Sequence, residues 1–242
     1  MKNLVLCLFF VSLFASCTIA TEKNDIFNLL EDEVSPVQRI YNDTIANESN
    51  PYDYCGQLFS EMLYSYYERP RSVVDLDTVI SVIEQIAHRN TAFRTIEPVY
   101  YTAPVAGRVA YLLANKETCQ TAVFQDAGLS SHASLCLDTF ITDYRSLCSL
   151  EDKYSVIYNF VKDYERAVLA DLSLADFEKK VILVSSSIAR YSAAAKKKRP
   201  KKNTDPAWDF LICGIYGSID RVSSSSAEAI TMALVVAIGE NQ

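Results

Sequence analysis

The residues best suited to chemistry are one cysteine, two histidines and a knot of lysines, and each points to a different reaction. Cys17 closes the run Phe14-Ala15-Ser16-Cys17, behind Lys2 and an apolar stretch from Leu4 to Ala15 interrupted only by Ser12. Small residues ahead of a cysteine at the end of such a stretch form a relaxed lipobox, in which the sulfur receives acyl chains after cleavage. The apolar run falls short of the roughly twenty residues that a bilayer span requires. Phe14 stands where leucine is commonest, and Thr18-Ile19-Ala20 also offers an ordinary small-x-small cleavage site with Thr21 as the mature start. At about 0.8 kcal/mol per buried methylene, several chains on one sulfur make a firm anchor. The expectation is an export signal over 1–16 and lipidation at Cys17.

Catalytic patterns are missing from the sequence. His88 and His132 are its two histidines, and neither lies in H-E-x-x-H. No G-x-S-x-G turn or glycine-rich phosphate loop occurs. A Cys-His pair would need a free cysteine beside either histidine, and no local signature marks such a pair. Carboxylate pairs such as Asp75/Asp77 and Glu151/Asp152 fall where helices should start, and the helix dipole explains them there. The chain is therefore expected to be no enzyme and to hold no metal and no cofactor. Beyond the signal lie Cys55, Cys119, Cys136, Cys148 and Cys213. Five cysteines cannot all pair within one chain, and there is no C-x-x-C, so the choice is between up to two disulfides and small buried apolar residues. Asn42-Asp-Thr44 and Asn47-Glu-Ser49 are glycosylation sequons, to be used if the chain is a eukaryotic secreted protein.

Charge narrows the partners. The net charge is −7, from 23 basic and 30 acidic residues. Six of the basic ones are Lys196, Lys197, Lys198, Arg199, Lys201 and Lys202, so the rest of the chain is strongly acidic. A nucleic-acid binder would show a broad basic face, and this sequence excludes one. The knot suits a contact with an anionic surface, phospholipid or polysaccharide, or simply a solvated linker.

Half of the residues are hydrophobic, while glycine numbers six and proline seven, a balance that favours long helices over a turn-rich β protein. Asn50-Pro51 should open the first helix, with Asn50 as N-cap, and Pro70 should follow its end. Helical stripes follow from Asp75, over 105–115 and over 130–148, while 118–124 reads equally as strand or helix. Ser149/Asp152 and Ser173/Asp176 resemble capping boxes ahead of two long stripes, Leu150 to Leu172 and Phe177 to Ala195, which predict an antiparallel amphipathic pair. Their Tyr and Phe residues read as core anchors. Asp205-Pro206 restarts a helix bearing Trp208, Leu211, Ile212, Ile215 and Ile219, in which Gly214 and Gly217 permit close backbone approach. Ser223 to Ser226 caps a last helix, 227–238, that is apolar almost all round. Asp209, Asp220, Arg221 and Glu228 suggest a wet edge on this hairpin.

Three pieces, Asn50-Pro-Tyr-Asp-Tyr-Cys-Gly56, Ser187-Ile-Ala-Arg-Tyr-Ser192 and the small-residue tail opened by Trp208, resemble a group of uncharacterised exported lipoprotein-like proteins of Bacteroidota-type bacteria. In that group the tail looks like an Ala-Gly-x-Gly-Gly run, of which Gly214 and Gly217 remain here, and the lysine knot is an addition. The resemblance implies a bacterial envelope protein and carries no activity. The combined expectation is a mostly α chain: signal 1–16, acidic tether 17–49, and one antiparallel bundle-like helical domain 50–242 with a basic linker at 196–204 and a helical C-terminal hairpin. Its function is that of an outer-membrane lipoprotein with a binding or structural role, held to the membrane by its lipid, with a protein or polysaccharide partner. The rivals are a soluble secreted glycoprotein and a membrane-active secreted protein that uses the 206–238 hairpin.

Overall fold

The computed structural model describes residues 45–69, 75–150, 153–198 and 212–241. These form ten helices and, among the described residues, no strand. They are α1 (Asp53–Tyr67), α2 (Leu76–Arg89), α3 (Thr91–Ile96), α4 (Ala106–Ala114), α5 (Gln120–Asp126), α6 (Ser131–Leu150), α7 (Tyr154–Ala170), α8 (Asp176–Lys198), α9 (Ile212–Val222) and α10 (Ser226–Glu240). The mostly α expectation holds. No helix among these residues is long and apolar enough to cross a membrane.

Several starts follow the local chemistry. Asp75 accepts the backbone N–H of Thr78 at 2.8 Å and caps α2, and Ser225 accepts that of Glu228 at 3.1 Å and caps α10. The ambiguous stretch 118–124 resolves as helix in α5. Neither serine box caps its helix. Ser149 lies inside α6, its hydroxyl turned onto the Ser146 carbonyl, and the residue before α7 is Lys153. Ahead of α8, Asp171 holds the Ser173 N–H and hydroxyl, while Glu178 reaches back to the Ala175 N–H at 2.9 Å. Leu172, expected in the apolar stripe, is 96% exposed.

The expected amphipathic pair is in fact one amphipathic helix and one swallowed helix. Helix α7 buries Ile157, Val161 and Val168 on one face, but every residue of α8 from Val181 to Ala195 is buried. Alanines and serines make this feasible, because small side chains let neighbours approach on all sides. Ser185 and Ser192 bond back to the carbonyls of Val181 and Ile188, which satisfies hydroxyls that would otherwise be costly inside. The second buried helix is α10, which has no exposed residue from Ser226 to Ile238. Helix α9 packs along it through glycine. A Cβ on Gly217 would meet the Met232 carbonyl oxygen at 3.0 Å, and one on Gly214 would meet the Ala237 Cβ at 3.1 Å.

The hairpin is therefore core, wedged between α8 on one side and α1, α2 and α4 on the other. Its expected wet edge is largely dry. Glu228 is 5% exposed and accepts the Thr102 N–H, and the Asp220 carboxylate is closed over by Arg108. Among the described residues of the hairpin, 212–238, no large apolar side chain is exposed. Trp208, Leu211, Asp205, Pro206 and Asp209 lie outside the described residues. The linker expectation shifts as well, since Lys196, Lys197 and Lys198 continue the backbone of α8.

Candidate functional site

The densest polar chemistry lies where the chain first joins the bundle. Asn50 is no simple N-cap. Its Oδ1 accepts the Tyr52 N–H at 2.9 Å, and its Nδ2 donates to Glu165 on α7 at 2.8 Å and to the Leu183 carbonyl on α8 at 3.0 Å. Asn47 donates to the other oxygen of Glu165 at 2.6 Å, and the Ser186 hydroxyl donates to Oε1 at 3.0 Å. Glu165 is wholly buried, and so is Arg190. The Arg190 guanidinium donates to the Ile45 carbonyl and to Asp53 Oδ1, and reaches Glu165 Oε1 at 3.3 Å. Tyr191 donates to Asp53 Oδ2 at 3.2 Å. One cation thus lies between two carboxylates. Burial alone would lower the guanidinium's affinity for its proton, but Asp53 and Glu165 outweigh it and hold the pKa above the ordinary value.

Two of the sequence pieces singled out above close on each other here. The Gly56 N–H donates to the Ser187 hydroxyl at 3.0 Å, and that hydroxyl donates to the Asp53 carbonyl at 3.0 Å. A Cβ on Gly56 would lie 2.4 Å from Ser187 Oγ and from Tyr191 Cδ2, so only glycine lets α1 approach α8 this closely. The body also starts earlier than residue 50, because Ile45 and Asn47 are buried within this clasp. The Asn47 sequon is not presented at the surface: Asn47 is buried and its side-chain nitrogen is bonded to Glu165. Asn42, the other sequon, lies outside the described residues.

A second cluster sits at the surface. His132 and Cys136, one turn apart on α6, face Asp171 in the loop between α7 and α8. His132 Nε2 is 2.8 Å from Asp171 Oδ2 and 3.9 Å from Cys136 Sγ. The three ligating atoms lie within 4.8 Å of one another, a placement the sequence did not reveal because the aspartate is 35 residues beyond the cysteine. The arrangement is no nucleophile relay. A relay uses both ring nitrogens, one for the nucleophile and one for the orienting acid, whereas here both partners address Nε2. Burial, with Asp171 and Glu178 nearby, also pushes the Cys136 thiol up and away from the reactive thiolate. His88 lies elsewhere, 3.8 Å from Glu84 and 3.5 Å from Glu97.

None of Cys55, Cys119, Cys136, Cys148 and Cys213 is joined in a disulfide; four are buried and Cys136 is half-buried, so the small-core reading applies. Burial pushes the Cys55 thiol up to about 12. Cys17, Arg199, Lys201 and Lys202 lie outside the described residues, as do residues 1–16 of the expected signal. Comparison with protein-family models, curated proteins and solved structures finds no match.

Proposed function

We propose that this chain is an exported cell-envelope lipoprotein of bacterial type, anchored through lipid on Cys17 and serving a binding or structural role without catalysis. The observation that carries this reading is the clasp around Arg190. A tethered body is pulled at the point where its tether joins, and here that point is fastened by buried bonds from Ile45, Asn47, Asn50 and Asp53 to α7 and α8. The charged groups of the clasp are engaged with one another and present no reactive atom to a substrate, which favours a mechanical role over chemistry. Lys196, Lys197 and Lys198 stand at the C-terminal end of α8, where the negative end of the dipole favours cations. With Arg199, Lys201 and Lys202 they offer an anionic envelope surface a contact of about 1 kcal/mol per residue.

The test is metabolic labelling with radioactive palmitate of the full chain expressed in a diderm bacterium. The wild type is expected to incorporate label and enter the detergent-rich phase, and Cys17→Ala to do neither. An unlabelled mature chain that begins at Thr21 would overturn the reading.

A further inference from the structure

We propose that His132, Cys136 and Asp171 form a surface site for one Zn2+ ion, with the fourth position open to water. The proposal is independent of the lipid anchor and of the clasp.

Three observations carry it. The first is the donor set. Imidazole nitrogen, thiolate sulfur and carboxylate oxygen are the three protein ligand types of zinc, and three of them plus a water is the composition of an open tetrahedral site. The second is aim. A single ring nitrogen of His132 faces both the sulfur and the carboxylate oxygen, at 3.9 and 2.8 Å, as it must if all three converge on one centre. Zinc–ligand bonds of about 2.0–2.3 Å place tetrahedral donors about 3.2–3.6 Å apart. The 2.8 Å gap has to open slightly and the 3.9 Å gap to close slightly, which rotation of half-exposed side chains supplies.

The third is preparation of the carboxylate. Asp171 Oδ1 is held by the Ser173 N–H at 2.8 Å and the Ser173 hydroxyl at 2.6 Å, which leaves Oδ2 directed at the histidine. A ligand oriented by a partner outside the coordination sphere is the usual construction of a protein metal site. Cys136 and His132 are separated by four residues on the stiff first turns of α6, so their spacing is set by helix geometry. Binding converts the Cys136 thiol to thiolate: the S–H bond breaks, its proton goes to solvent, and the sulfur lone pair forms the bond to zinc.

The experiment uses the reduced full chain titrated with Co2+ as a spectroscopic stand-in, followed by Zn2+. The expected result is one cobalt per chain, with a sulfur-to-cobalt charge-transfer band and the intense visible bands of a tetrahedral ion, all displaced by Zn2+. Cys136→Ser should abolish the charge-transfer band while leaving the circular dichroism melt unchanged. Ser173→Ala, which touches no metal, should weaken affinity by about tenfold. A cobalt spectrum that is weak and octahedral, or one that is unchanged in Cys136→Ser, would overturn the site and leave an ion pair between His132 and Asp171.

Discussion

At the residue scale the molecule is governed by Arg190. It is fully buried, and it forms ion pairs with Asp53 and Glu165 at once. Replacing an entire buried charge group with apolar residues is often tolerated, but removing one member leaves the others uncompensated. Arg190→Ala should therefore cost about 3–5 kcal/mol of stability, seen as a lower urea midpoint, and it should loosen the Ile45–Asn50 segment first by hydrogen exchange. The sequence marked Asn50 as a helix-start residue and placed Asp53 and Arg190 in short motifs. It could not show that they meet, because their partners are more than a hundred residues away in the chain. The His132–Asp171 contact, across 39 residues, was hidden in the same way, although His132 had been singled out by its rarity.

At the element scale, the helix starts that hold are those whose cap bonds within four residues, as with Asp75 and Ser225. The two serine boxes failed for different reasons: Ser149 is taken up inside α6, and before α8 Asp171 and Glu178 bind the free N–H groups in place of Ser173. The α9–α10 hairpin depends on its glycines. Gly217→Val would drive methyl groups into the Met232 carbonyl, which as backbone cannot rotate away. Overpacking of this kind costs about 1–3 kcal/mol, and thermal melting should show a corresponding loss. Another element-level contact joins α2 to α10. The Tyr101 hydroxyl donates to Glu84 at 2.6 Å and sits 3.0 Å from the Thr231 hydroxyl. Burial raises the Glu84 pKa above its ordinary value of 4.5. A folded-state pKa above the unfolded one contributes stability that is complete below pH 4.5 and is lost as pH rises through the raised value. Glu84→Gln, which keeps an acceptor for Tyr101, should gain stability relative to the wild type on going from pH 4 to pH 7. Paired urea titrations at the two pH values check the sign.

At the scale of the whole molecule, the C-terminal hairpin is the centre of the fold and not an appendage. Deleting residues 206–242 should abolish the cooperative melt and the near-ultraviolet dichroism while helical signal persists in the far ultraviolet, which a folded, monomeric remainder would contradict. The sequence by itself determined that the chain is helical and where most helices begin and end, because periodicity, caps and prolines act over a few residues. It also determined that the last helix is apolar almost all round, and the burial of every residue from Ser226 to Ile238 agrees with that. Only the tertiary structure decided that α8 is swallowed, that the body begins by Ile45, and that Asn47 faces Glu165 instead of solvent. Burial of a polar residue depends on what arrives from a distant part of the chain to satisfy it, and local pattern does not record that partner.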